Sequence, residues 1–360
     1  MLMIQGDITS LSPLHFGNGR TRGTFSQTLP YIPGRTIRGM IGWYLFQNDH
    51  ALFDACGLAE DHDATKMHLF ARNAYPLAGG MRSVYAPLKY YWCKGCQSLI
   101  PAGKTECNMT MKGFPCLQEG RRYTGMIGME TFSEKRLKNP DPVPMRLETK
   151  CPITRDGHTS MGKDWQLKPY HIQGIEPGVS FGFQMLADET VSEGVLSCLE
   201  EASYTCGLGG FRSRGYGLVD FSTEPGVQVK ELVDRRSGEI GEQETHLLTL
   251  NSPCITRSHD RCIIGFGDEF FREANSRLAS AGFSGDISPG ADASPEITKA
   301  LVRGWSLKNG NKVDEIVPAT SPGSCITVEG SPQSLAALEV LGVGDLLSCG
   351  YGEVYISGGI

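Results

Sequence analysis

The chain has 360 residues, 40% hydrophobic and 21% charged, with a formal net charge of -6 at pH 7. That apolar content supports sizeable cores and excludes a disordered or fibrous chain. The acidic balance argues against a generic nucleic-acid binder, and no apolar run approaches the ~18 residues of a membrane span.

The opening MLMIQGDITSL alternates like a strand and lacks the charged start of a signal peptide, so the expectation is a soluble, cytoplasmic protein. No acidic residue lies between Asp7 and Asp49, whereas His15, Arg20, Arg22, Arg35 and Arg38 all fall in that window. Within it, PYIPGRTIRGMIGWYLF reads as an extended segment stopped by Pro33-Gly34 and followed by a helix. Thr36 is the expected cap, and Ile37, Ile41, Tyr44 and Leu45 form the apolar face. Arg35 and Arg38 would then flank free N–H groups at a helix start, a setting that favours an anion. A plain amphipathic helix with solvated arginines explains the same pattern.

Next comes WCKGCQSLIPAGKTECNMTMKGFPCLQ, which places Cys93, Cys96, Cys107 and Cys116 in a C-x2-C-x10-C-x8-C pattern. The segment is rich in Gly, Lys and polar residues and needs a cross-link to hold a fold. Four thiolates around a structural zinc would supply one. The second pair is spaced more widely than usual, so free thiols and a redox or disulfide role stay open. Most of the twelve cysteines read as buried small hydrophobes. From Gly120 to Gly174, Pro140, Pro142 and Pro144 rule out a continuous helix, leaving a long hairpin or arm with Lys135, Arg136 and Lys138.

The strongest signal is a repeat. GLGGFRSRGYGLVDF (207–221) aligns without gaps with GVGDLLSCGYGEVYI (342–356). The copies share Gly207/Gly342, Gly209/Gly344, Ser213/Ser348, Gly215/Gly350, Tyr216/Tyr351, Gly217/Gly352 and Val219/Val354. Each copy follows a Leu-rich helical stretch, around Val191 to Ala202 and Ser334 to Leu341, and runs into a strand. Pro177-Gly178 and Pro322-Gly323 open strands upstream. Strand, helix, Gly-rich loop, strand is the second half of a β-α-β-β-α-β unit. The expected fold is therefore α+β, with two tandem ferredoxin-like (RRM-like) domains at 1–224 and 245–360. A linker occupies 225–244, the cysteine insertion about 90–120 and the arm about 120–170. A Rossmann reading of Gly207-Leu208-Gly209 fails because this loop follows a helix and opens a strand. Arg212 and Arg214 of the first loop, with no carboxylate from Ala202 to Val219, carry the local positive potential of a phosphate contact.

LHFGNGR, YIPGRTIRGMI and GLGGFRSRGYGLV together resemble the RAMP superfamily of CRISPR-associated RNA-binding proteins. The second half, from LVRGWSLKNGNKVDEIVPATSPGSCITVEG to GVGDLLSCGYGEV, is most similar to the type III-D member of the Cas-five group, which caps the 5′ end of the guide RNA. The resemblance implies a non-catalytic crRNA-binding subunit. Its implied partners are Cas-seven-type backbone subunits and, indirectly, target nucleic acid. It implies RNA contacts at His15, Arg20, Arg22, Arg35, Thr36, Arg38, Arg212, Ser213, Arg214 and Tyr216, the last by base stacking. Tyr351 repeats the tyrosine in a loop where Leu347 and Cys349 replace the arginines. A structural role for Tyr216 therefore fits equally well, and the second loop is expected to serve packing or partner contact. The loop before the I-P-G motif, TRGTFSQTLPYIPG, lacks the acid that target-cutting relatives carry. A precursor-cutting endoribonuclease using His15, or a protein-binding scaffold or filament subunit, are the alternatives.

Overall fold

A computed structural model describes the chain except residues 23, 60–65, 93–98, 102–120, 123, 129–142, 152–168, 243–244, 260, 292, 307–311 and 359–360. The side chains of 18–22, 92, 99–101, 121–122, 303–306 and 312–315 are also outside the description. The fold is mixed α+β and contains the same strand arrangement twice. In the first unit the chain runs from strand Leu2–Ser10 through helix α1 (Gly34–Asn48) and a short α2 (His50–Ala55). It continues through strands Leu69–Ala71 and Tyr75–Ala78, strand Ser180–Ala187, helix α3 (Glu189–Cys206) and strand Val219–Thr223. Leu2–Ser10 lies between Val219–Thr223 and Ser180–Ala187, and the latter pairs with Tyr75–Ala78, all antiparallel. After helix α4 (Val229–Ile240), the second unit repeats the order with strand His246–Leu250, α5 (Asp268–Ser280), strands Ser288–Pro289 and Cys325–Glu329, α6 (Pro332–Leu341) and strand Val354–Gly358. His246–Leu250 is again central, between Cys325–Glu329 and Val354–Gly358.

Helices α1, α3 and α6 form where apolar spacing predicts them. Along α3, Val191, Val195, Cys198, Leu199, Ala202 and Cys206 make one buried face, and Gly207 at φ 64° ends the helix. Helix α6 ends identically at Gly342, φ 72°, and begins with Ser331 accepting from the Ser334 N–H. Ile4, Ile8, Phe181, Phe183 and Met185 pack against Ile37, Ile41 and Leu45 of α1 and Val195 and Leu199 of α3. Each such side chain is worth about 1.5–3 kcal/mol when fully buried.

The opposite face of this sheet is also covered. Met3, Phe70 and Leu186 join a second core with Val229 and Val233 of α4, Phe270 and Leu278 of α5, and Leu335 and Leu338 of α6. Strand Ser180–Ala187 is consequently buried on both faces, with Met185 in one core and Leu186 in the other. The segment expected as a linker, 225–244, is largely α4. Its Val229, Val233 and Ile240 are buried, and Arg236 makes a two-point ion pair with Glu339 of α6 at 3.1 and 3.2 Å.

Of the expected arm, Met145–Lys150 and Tyr170–Ile175 form an antiparallel pair, extended by Phe25–Thr28 and Gly17–Arg22 into a four-stranded sheet. The second unit adds a hairpin, Lys299–Ser306 with Lys312–Thr320. Cys93, Cys96, Cys107 and Cys116 lie outside the described residues.

Candidate nucleic-acid interface

The first Gly-rich loop is a single 3₁₀ turn, Arg212–Arg214, between left-handed Phe211 (φ 59°) and Gly215 (φ 82°). It is clamped to the end of the first strand. Gly217 N–H donates to the Pro13 carbonyl at 2.9 Å, Gly210 N–H to the His15 carbonyl at 2.9 Å, and Leu218 N–H to Ser12 Oγ at 2.8 Å. A Cβ on Gly209 would lie 2.5 Å from the His15 carbonyl oxygen, so this close approach needs glycine.

The clamp turns Arg212, Ser213 and Arg214 outward, and all three are exposed. Arg212 donates to the Cys206 carbonyl at the end of α3, at 2.6 Å. Arg214 donates to the Tyr170 hydroxyl and sits 5.5 Å from the centres of both the Tyr170 and Phe211 rings. Both guanidiniums are thus held in place before any ligand arrives, which lowers the entropy lost on binding an anion. On the adjoining sheet Glu148 bridges Arg146 at 2.7 Å and Lys150 at 2.6 Å. The Lys150 hydrogen bond is the main cause that holds the Glu148 carboxyl below its ordinary range, against the effect of burial.

Several expected contacts face inward. His15 is 4% exposed. Its Nδ1 donates to the Gln173 carbonyl at 2.7 Å, which leaves Nε2 as the acceptor facing Ser26 Oγ at 3.2 Å. Burial lowers its pKa, with the Gln173 bond acting in the other direction. Tyr216 is 5% exposed and packs edge-on to Phe211 at 6.0 Å, which fits the structural alternative better than a ring open to a base. Burial first, and Glu148 next, push its hydroxyl up to about 12.

Arg38 is 8% exposed and reaches the Gly57 and Leu58 carbonyls at 3.4 Å, holding the turn after α2 instead of offering a charge to solvent. Thr36 does not cap α1. Pro33 occupies that position, and Gly34 N–H donates to Asn73 Oδ1 at 2.8 Å. A Cβ on Gly34 would meet the Ala71 carbonyl oxygen at 2.2 Å, which explains the glycine of the I-P-G motif by packing. The side chains of Arg20 and Arg22 lie outside the description, although their strand, Gly17–Arg22, adjoins Phe25–Thr28 in the four-stranded sheet.

The second loop copies the first. Gly352 N–H donates to the Pro253 carbonyl at 2.9 Å, Asp345 N–H to the Ile255 carbonyl at 2.8 Å, and Glu353 N–H to Ser252 Oγ at 2.8 Å. Its Leu347–Cys349 turn, however, packs on the start of α1. A Cβ on Gly350 would lie 2.6 Å from Asn73 Oδ1, and Arg35 Nη1 reaches the Tyr351 hydroxyl at 3.4 Å. Glu353, where the first copy has Leu218, is 4% exposed and pairs with Arg82 through both carboxylate oxygens. The α1 N-terminus is therefore closed by Asn73 and the second loop, and the open basic loop is the first.

Sequence reasoning missed Asn73, Arg82 and Glu353. It also missed that the clamp repeats, as Ser12-Pro13 in the first unit and Ser252-Pro253 in the second, a pattern visible in the sequence once the loops are aligned.

The solved chains similar to this one include three at low identity. One, from type III-B Cmr-beta bound to cognate target RNA, is 15% identical, with 63% of this chain and 61% of that one covered and a TM-score of 0.36. Another, from Cmr-beta bound to cognate target RNA and AMPPnP, is 13% identical, with coverage of 90% and 86% and a TM-score of 0.42. A RAMP protein binding different RNA substrates is 10% identical over 99% of both chains, TM-score 0.36. A search of curated proteins gives no match. The RAMP superfamily model matches residues 7–220, from the first strand through the exposed loop and into the strand that follows it, and the chain belongs to the RAMP superfamily.

Proposed function

We propose that this protein is a guide-RNA-binding subunit of a type III-like CRISPR effector, that it holds the 5′ handle of the guide, and that it caps one end of the backbone filament. Both units are read as ferredoxin-like, because each places its strands in the order expected of that fold. The observation that carries the reading is the unequal fate of the two Gly-rich loops. The first presents Arg212, Ser213 and Arg214 to solvent, with Arg214 fixed on Tyr170. The second is used up inside the molecule by Arg35, Asn73 and Arg82. One open basic copy out of the two Gly-rich loops suits a single RNA-holding position, and a second unit committed to internal packing suits an end-cap.

Phosphate contacts from fixed guanidiniums would supply salt-sensitive affinity without reading sequence. His15 has both ring nitrogens engaged in the interior, so we assign it to holding the loop and propose no catalysis. The zinc reading of Cys93, Cys96, Cys107 and Cys116 rests on their spacing. The membrane takes no part in this proposal, and among the described residues no helix is long and apolar enough to cross one.

The test is to purify the protein with its genomic neighbours, extract the bound nucleic acid and map which nucleotides crosslink to it. Crosslinks confined to the repeat-derived 5′ handle support capping. Crosslinks at regular intervals along the spacer make it a filament subunit, and absence of RNA contradicts the proposal.

A further inference from the structure

The helical back of the first unit carries a feature the RNA reading does not use. Trp43 and Phe46, one turn apart on α1, are 42% and 47% exposed and lie nearly parallel, 23° apart with ring centres at 6.3 Å. Phe46 is braced edge-on by His50 at 4.9 Å and Phe53 at 5.5 Å, both from α2. From the exposed fractions, the two leading rings leave about 200 Å² of aromatic surface in water, preorganised by their neighbours.

The helical stretches beside this pair carry one sign of charge. Residues 39–59 and 189–206 contain no Lys or Arg, and they carry Asp49, Asp54, Glu189, Glu193, Glu200 and Glu201. The helices are neighbours. Leu52 of α2 packs on Gly194 of α3, and Tyr44 of α1 lies beside Glu201, whose hydrogen bond is the main cause raising the tyrosine to about 12. Glu193 and Glu200 are exposed. An acidic rim repels nucleic acid, and exposed aromatic rings rimmed by charge are the anatomy of a protein contact.

We propose that this face docks a basic polypeptide segment of a protein partner, with an apolar or cationic side chain seated on Trp43 and Phe46 and Lys or Arg residues facing Glu193 and Glu200. Arginine suits the aromatic faces as well as the carboxylates. The surface lies on the helix side of the first sheet and does not depend on the Arg212–Arg214 loop being the RNA face.

The experiment replaces Trp43 with photoreactive p-benzoylphenylalanine in the complex purified with its genomic neighbours, followed by illumination and sequencing of the crosslinked peptides. The expected product joins position 43 to a polypeptide segment with more Lys and Arg than Asp and Glu. Its yield should fall at least about tenfold in a Glu193→Lys/Glu200→Lys variant whose melting temperature is unchanged, since both residues are exposed. A crosslink to nucleic acid, to a second copy of this chain or to a neutral or acidic segment overturns the proposal. So does an absent crosslink, or a yield indifferent to the charge reversal. None of these outcomes bears on whether Arg212 and Arg214 hold RNA.

Discussion

Arg82 and Glu353 form a two-point ion pair between the two units, with side-chain exposures of 14% and 5%. Asn251 Nδ2 donates to the same carboxylate at 3.0 Å, and the Arg82 guanidinium lies 4.7 Å from the centre of the Tyr75 ring. Burial would raise the Glu353 carboxyl, but Arg82 and then Arg72 outweigh it and hold the group below its ordinary range. Removing one partner of such a pair strands the other, at a cost of about 3–5 kcal/mol. Glu353→Ala should therefore lower unfolding stability by that order in urea titrations. Arg82→Ala/Glu353→Ala should cost clearly less than the sum of the single changes. Additive losses would show that the two residues do not act as a pair.

Glu273 of α5 is expected to make the protein less stable as pH rises. Burial, and then Asp345, raise its carboxyl to about 7, with Arg277 and Arg272 offsetting part of the effect. A carboxyl raised in the folded state binds its proton more tightly there than in the unfolded chain. Its contribution is thus favourable in acid and is lost as pH rises from about 4.5 through 7. Glu273→Gln should be more stable than the parent at pH 8, by about 1–2 kcal/mol after allowance for solvent screening, and nearly equal to it at pH 4.5. Thermal melts at the two pH values check the sign.

The arginines should separate into two groups. Arg212→Ala and Arg214→Ala should each weaken guide-RNA binding and reduce the slope of log affinity against log salt by about one, with little loss of stability. Arg38→Ala should behave in the opposite way. It removes the donors to the Gly57 and Leu58 carbonyls, costing about 1–3 kcal/mol of stability while leaving the salt slope unchanged. Filter binding across a salt series, paired with urea melts, distinguishes the groups.

Two glycines should differ sharply on substitution by alanine. At Gly34 the added Cβ meets the Ala71 carbonyl oxygen at 2.2 Å, so Gly34→Ala must displace α1 from the sheet and should abolish soluble folded protein. At Gly215 the obstacle is the left-handed φ of 82°, since among the described residues no atom beyond its chain neighbours lies within 4 Å of an added Cβ. Gly215→Ala should cost about 1 kcal/mol and fold normally. Yield and melting temperature suffice as readouts.

If the four clustered cysteines hold zinc, the purified protein should contain about one zinc per chain by elemental analysis. Cys93→Ser/Cys96→Ser should lose it, and a chelator should lower the melting temperature of the parent but not of the variant. A metal content near zero in fresh protein contradicts the assignment.

The sequence made the repeat, helices α1, α3 and α6 and the two loops legible because they depend on local signals: glycine at positive φ, apolar spacing and turn residues. Gly207 and Gly342 end their helices as the aligned peptides imply. Helical phase at Arg38 was also readable, since Arg38, Ile41 and Leu45 share one face of α1 and all three are buried. Counting arginines in an acid-free window overlooked that phase. What local pattern could not give is the pairing of Glu353 with Arg82 or the seating of Tyr351 on Arg35. These contacts join residues 271 and 316 positions apart and exist only once the second unit has closed on the first. The same closure partly covers the second loop and leaves the first one open.

The most direct test of that asymmetry is to assemble the complex on guide RNA containing 4-thiouridine in the 5′ handle, irradiate it, and identify the crosslinked peptides of this chain. Attachment within residues 211–215 or at Tyr170 is the predicted result. Attachment at residues 346–351, or at neither loop, would contradict it.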